Sequence, residues 1–253
     1  MAIHFSKKPG LVAYLTAGDP GVAETRDIAL AAIDAGADVI ELGVPFSDPL
    51  ADGPVIQRAS ERAVARGVRL VDVLGIAKDL HKARPSAGLV IFSYLNPLLR
   101  LGLKNFCEQA ADAGADGVLA TDMIVEEADE YLEHMHASGL APIFLAAPTS
   151  PDVRLKKIAA ASQGFVYAIS RTGITGTQDK VAGDASALVQ RLRQFTTLPV
   201  AVGFGISNAE HVRAVGQFAD AAVVGSAIVS LIERSEPKDA AKAVGQFIAG
   251  LLA

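Results

Sequence analysis

The chain has no tryptophan and a single cysteine, Cys107, among its 253 residues. A lone cysteine excludes an intrachain disulfide, and Cys107, within a helical pattern, is expected to be a small apolar filler. No basic block accompanies the net charge of −5, which argues against nucleic acid as a partner. No apolar run approaches the roughly 18 residues of a membrane span. The first residues, MAIHFSKKPG, lack the apolar centre of a secretory signal, so a soluble cytoplasmic protein is expected. Also missing is any tract rich in Pro, Gly or Ser that would read as a linker, which predicts a single domain over residues 1–253.

What is present is apolar and periodic. About half the residues (51%) are hydrophobic, enough for a sizeable core. Short branched runs are predicted as strands: LVAYLT (11–16), VIEL (39–42), LVIFSY (89–94), GVLAT (117–121), APIFLA (141–146), FVYAIS (165–170), PVAVG (199–203) and AAVVG (221–225). Near-continuous apolar runs of this length are the mark of parallel strands covered on both faces. Between them apolar residues return at three- and four-residue steps, as in AETRDIALAAIDAG. DAGAD occurs at 34–38 and 112–116, with FADAA at 218–222 as a looser cousin, so one structural unit is reused. Eight strands alternating with helices predict an α/β fold, a (β/α)₈ barrel with a parallel eight-stranded core. The rival open sheet would want a glycine-rich dinucleotide turn after its first strand, and TAGDPG lacks that spacing.

Barrel enzymes work at the C-terminal ends of their strands. Here those positions hold acids and hydroxyls but neither Lys nor His. A Schiff-base lysine is therefore not expected, and the five histidines form no strand-end cluster for a metal. Chemistry in this barrel would be carboxylate acid–base chemistry.

The stretch ELGVPFSDPLADGP (41–54) concentrates those acids. Glu41 lies among Val39, Ile40 and Leu42 in a strand expected to be buried, where an unpaired charge is costly. Burial without a cation would raise its pKa and suit it to proton transfer near neutrality. A structural glutamate held by hydroxyls or by Arg171 is the other reading. Asp48 and Asp52 follow in a loop stiffened by Pro45, Pro49 and Pro54. Each alone reads as a turn or capping residue, Asp52 before Gly53-Pro54 and the helical stretch IQRASERAVARG; together they read as acids presented in one place.

VGFGIS (202–207) and VGSA (224–227) follow the last two strands. Glycine-exposed N–H groups at Gly205 and Gly225, with Ser226 at the start of a helix, make an anion cradle by analogy with other barrels; plain tight turns are the alternative. SRTGITGTQDKVAGD (170–184) reads as a long loop, either plain surface or a lid.

ELGVPFSDPLADGP followed by IQRAS, with AYLTAGDP before it and SRTGITG, GFGIS and VGSAIV after it, resembles the tryptophan synthase α subunits, in the right order from Leu11 to about Ile232. The resemblance implies aldol cleavage of indole-3-glycerol phosphate to indole and glyceraldehyde 3-phosphate, without metal or organic cofactor in this chain. It implies Glu41 as general acid–base group, Asp52 as acceptor of the indole N–H and Tyr167 as a positioning group. Thr175 would meet Asp52 when the lid closes, and Gly176, Gly205, Gly225 and Ser226 would hold phosphate. Phe92, Tyr94 and Leu119 would line the indole pocket. It implies a β subunit carrying pyridoxal phosphate in an α2β2 heterotetramer, docked on Asp48 to Asp52 and on NPLLRLG (96–102), with Asn96, Pro97 and exposed Leu98 and Leu99 in contact. TDMIVEE (121–127) departs from the family's usual proline-bearing segment after the fourth strand, though Asp122 is kept. A stand-alone lyase releasing free indole, or a weak subunit that mainly activates its partner, are the alternatives.

Overall fold

The computed structural model describes residues 3–169, 178–203 and 205–253, with backbone alone over 178–182. The strands are β1 Gly10–Thr16, β2 Val39–Gly43, β3 Gly88–Ser93, β4 Gly117–Ala120, β5 Ala141–Ile143, β6 Leu145–Ala146, β7 Val166–Ile169, β8 Val200–Gly203 and β9 Ala221–Val224. Every pairing is parallel, in the order β5-β4-β3-β2-β1-β9-β8-β7-β6. The two ends of that order are consecutive in the chain. The run 141–146, read from sequence as one strand, is two short ones separated by Phe144. Its first half pairs with β4 and its second with β7, so the backbone itself carries the sheet round into a nearly closed barrel.

The helices are α1 Val22–Asp34, α2 Pro54–Ala65, α3 Leu70–Ala83, α4 Leu95–Leu101, α5 Leu103–Asp112, α6 Asp129–Ala137, α7 Asp152–Ala161, α8 Gln178–Leu192, α9 Ala209–Gly216, α10 Ser226–Arg234 and α11 Pro237–Leu251. They surround the sheet, and alternate strand residues divide the core in two. Leu11, Ala13, Ile40, Leu42, Leu89 and Ile91 face the helices, while Val12, Val39, Val90, Ala201 and Val223 fill the barrel interior. Ile3 and Phe5 close its floor, Phe5 meeting Phe165 edge-on at 5.9 Å.

The repeated DAGAD has a physical role at the strand starts. Asp38 gives its N–H to the Leu11 carbonyl and accepts the Leu11 N–H on its carboxylate, both at 2.9 Å. Asp116 does the same for Leu89 at 2.8 and 2.9 Å, and Asp220 of the looser repeat for Val200 at 3.0 and 2.8 Å. Gly36 and Gly114 turn the chain with φ of 108° and 79°, a region that favours glycine. Each unit ends a helix and pins one strand to the next.

Two segments differ from the sequence reading. The stretch from Gln178 is helix α8, with Ala185, Leu188, Val189 and Leu192 buried at helical spacing, so the loop after β7 is shorter than read. NPLLRL is helical too, within α4. Consecutive residues on a helix point about 100° apart, so Leu98 is fully buried while Leu99 is 52% exposed. Leu98 is a core residue, not an exposed contact.

Candidate active site

VIELG places Glu41 on the inward face of β2, two residues after Val39, which already points into the barrel. It is fully buried, and neither carboxyl oxygen has a hydrogen-bond partner among the described residues. Burial alone pushes its pKa up to about 8. Glu41 opens on a cavity of about 590 Å³ at the C-terminal end of the barrel. The far rim of this cavity is built by Gly203 at the end of β8, by Gly205 and Ser207 after it, and by Gly225 and Ser226 at the head of α10. Gly205 has φ of 61°, and α10 directs its first N–H groups and positive dipole end at the rim.

Tyr14, Phe92 and Tyr167 complete the inner wall. Tyr14 is the register neighbour of Glu41 and meets Phe92 edge-on, with ring centroids 5.0 Å apart. Two glycines make room for the phenols. A Cβ on Gly43 would lie 2.2 Å from the Tyr14 hydroxyl oxygen, and one on Gly203 would lie 2.5 Å from that of Tyr167. Tyr14 lies in the middle of β1 and not at a strand end, so the strand-end positions do not include it. Its period-two spacing from Val12 and Thr16 was the available signal.

The loop after β2 reaches the cavity through Ala51; the second acid, Asp52, is the next residue in the chain and is not itself among the cavity's described lining. Ala51 lines the cavity, and the Tyr94 hydroxyl accepts the Ala51 N–H at 2.9 Å and donates to Asp52 Oδ2 at 3.1 Å. Asp52 does not cap α2; Gly53 occupies that position, with Pro54 opening the helix. Burial raises the Asp52 pKa to about 6, partly offset by the bond from Tyr94. Both carboxyl groups also act on Tyr14 and Tyr167, whose hydroxyls burial already holds protonated.

Tyr94 and Leu119, expected to line the pocket, are not among the cavity's described lining. Tyr94 turns its hydroxyl to the Asp52 loop, and Leu119 is fully buried in the barrel interior. Thr175 and Gly176 lie outside the described residues. Val55 and Ile56 of α2 and Ile206 also line the cavity, and no strand-end reading would have found the α2 pair. Among the described residues, no group of three or more His, Cys, Asp or Glu could hold a metal ion, and no helix is long and apolar enough to cross a membrane.

Replacing Tyr94 by Phe removes the donor that holds Asp52 down. The acid limb of kcat/KM is then expected to move above about 6, with turnover falling about tenfold, the order of one hydrogen bond to a charged group. A pH–rate profile checks it; an unmoved limb would show that the Tyr94 bond does not govern Asp52.

A parallel barrel with a buried, raised-pKa carboxyl group on a cavity, a second acid next to a residue of its lining and a glycine-bearing helix start on its rim has the make-up of a barrel enzyme suited to proton transfer on an anionic substrate. The family model for the tryptophan synthase alpha chain matches residues 2–250. The tryptophan synthase alpha chain of Solibacter usitatus is 51% identical over 228 residues, covering 90% of this chain and 85% of that one. That of Cupriavidus metallidurans is 44% identical over 250 residues, covering 99% and 94%. Among solved structures, the tryptophan synthase α2β2 complex from Pyrococcus furiosus aligns with a TM-score of 0.91 at 39% identity, covering 97% of this chain and 98% of that one. The chain belongs to the tryptophan synthase alpha chain family, and as a member it is a lyase of tryptophan biosynthesis.

Proposed function

We propose that Glu41 and Asp52 carry the family's reaction, aldol cleavage of indole-3-glycerol phosphate, in the 590 Å³ cavity. The observation that carries this is the buried, unpartnered carboxyl of Glu41 opening on the same cavity as Gly205, Gly225 and Ser226. Near pH 7 Glu41 is protonated and Asp52 ionised. Neutral Glu41 gives its proton to the indole ring carbon that bears the glycerol chain. The carboxylate so formed takes the proton of the adjacent glycerol hydroxyl as the carbon–carbon bond breaks. The bonding pair returns to the ring, leaving indole, an aldehyde and Glu41 protonated again. Asp52 accepts the ring N–H and stabilises the positive charge that builds there. Tyr167 packs beside Glu41 and holds the ring, while Gly205, Gly225 and Ser226 grip the phosphate and Phe92 lines the indole end. Thr175 and Gly176 complete this set from the segment after β7.

We further assign residues 1–253 to one cytoplasmic domain that docks on a β subunit holding pyridoxal phosphate in an α2β2 assembly. Supporting this are the α2β2 relative from Pyrococcus furiosus and a surface groove of about 580 Å³ lined by Pro45, Phe46, Asn96, Pro97 and Arg100. Leu50, 92% exposed between Asp48 and Asp52, and Leu99, 52% exposed next to Arg100 in the chain, offer apolar contacts on the same two segments. Indole release is expected from indole-3-glycerol phosphate and to rise severalfold when β subunit is added. No release with the partner present would end the assignment, and a rate indifferent to it would make the chain a stand-alone lyase.

A further inference from the structure

Arg58 and Arg62 of α2 and Arg66, which caps its C-terminus, recur every four residues, so Arg58 and Arg62 share one stripe of the helix and Arg66 follows it. Arg62 grips Asp19 with two nitrogens, Nε to Oδ1 at 2.9 Å and Nη2 to Oδ2 at 2.7 Å. Its third nitrogen, Nη1, reaches Glu233 Oε1 at 2.8 Å. Arg58 takes Glu233 through two bonds of 2.9 and 2.8 Å, and Arg66 stands 3.6 Å from Asp19. Asp19 follows β1 and is 5% exposed, so its charge requires such pairing. Glu233 belongs to α10. Isolated surface pairs contribute little, but two-pronged arginine–carboxylate bonds that share partners fix geometry. A single guanidinium thus ties together three segments.

Two of those segments bear the two ends of the candidate site. On α2, the Ser60 hydroxyl accepts the Phe46 N–H at 2.8 Å and donates to the Phe46 carbonyl at 3.0 Å. The Gln57 side-chain amide donates to the carbonyls of Asp52 at 2.8 Å and Pro49 at 3.3 Å. The Asp52 loop therefore hangs from α2. α10 starts at the Gly225–Ser226 rim. Between the two helices lies a small apolar cluster of Tyr14, Ala59 and Val229, with Val55 and Ile56 against it.

We propose that Arg62, with Arg58 and through Asp19 and Glu233, is a positioning residue that sets the separation between Asp52 and the Gly225–Ser226 rim. This rests on the reading of the cavity as the indole-3-glycerol phosphate site. A substrate held at both ends reacts only when the two grips are the right distance apart. Either half of the substrate, bound alone, is indifferent to that distance.

Glu233→Gln and Arg62→Lys test the proposal in the full chain assembled with its β subunit. Binding is measured for indole, for glyceraldehyde 3-phosphate and for an uncleavable indole–propyl phosphate, alongside kcat/KM for indole-3-glycerol phosphate. Affinity for the spanning ligand and kcat/KM should both fall, about threefold in Glu233→Gln and about tenfold in Arg62→Lys, the order expected of one charge-assisted contact. The two half-ligands should change by less than about twofold, since neither feels the separation. Unchanged spanning affinity in both variants would overturn the proposal, as would equal losses for all three ligands, the signature of a general loss of structure. Should Arg62→Lys fail to fold because Asp19 is left badly paired, Glu233→Gln carries the test, its side chain being a quarter exposed. Turnover by the unaltered chain in the same assay tests the reading of the cavity independently.

Discussion

Glu41→Gln is expected to fold and to lose cleavage by about 10²–10⁴-fold, the contribution of a well-placed acid–base group. Gln fills the same space on β2 but can neither give a proton to the ring carbon nor take one from the glycerol hydroxyl. Single-turnover cleavage measures the loss, and near-normal turnover would refute the role. The same substitution has a stability signature. The ordinary glutamate value is 4.5, and in the folded barrel it is pushed up to about 8. Between those values the native chain holds one proton more than the unfolded chain, so stability falls as pH rises, by up to about 1.4 kcal/mol per pH unit. Below 4.5 both states are protonated, and above about 8 both are ionised, so the loss levels off. Gln carries no such proton. Urea unfolding at pH 5 and pH 8 should show the variant gaining on the parent at the higher pH; a constant difference would mean that Glu41 is not held protonated by burial.

Asp52→Asn removes charge while keeping shape. The amide oxygen of Asn can still accept the Tyr94 hydroxyl, so the loop should stay in place. Without the negative charge, the cation developing on the indole ring loses its counter-charge, and cleavage should fall by about 10²–10³-fold, within the range for such groups. The pH profile carries the sharper outcome. In the parent, kcat/KM is expected to fall on the acid side as Asp52 is protonated at about 6 and on the alkaline side as Glu41 ionises at about 8. The variant should keep the alkaline limb and lose the acid one. An acid limb still present near 6 would assign that ionisation to another group.

Much of the fold was visible as local pattern. The strand runs, the helical spacing between them and the DAGAD repeats each depend on residues close in the chain, and the apolar neighbours Val39, Ile40 and Leu42 marked Glu41 as buried. Where reading failed, a local pattern was ambiguous. Leu98 and Leu99 are equally apolar neighbours, and only the seating of α4 against the barrel buries one and exposes the other. The start of α8 was hidden because Gly183, an exposed residue of low helix propensity, lies within its first turns. The family resemblance implied Tyr94 as a pocket wall; its hydroxyl meets the Asp52 loop.

Chain order alone told of a parallel barrel wall with a carboxyl group buried in it and glycine-bearing turns after the last strands, because such features follow from periodicity and from side-chain chemistry. Which groups meet at the mouth was set by the closing of the sheet. Tyr94 reaches Asp52 across 42 residues and Arg62 reaches Glu233 across 171. Such distant encounters depend on how packed layers orient whole helices, and no short-range regularity encodes that orientation.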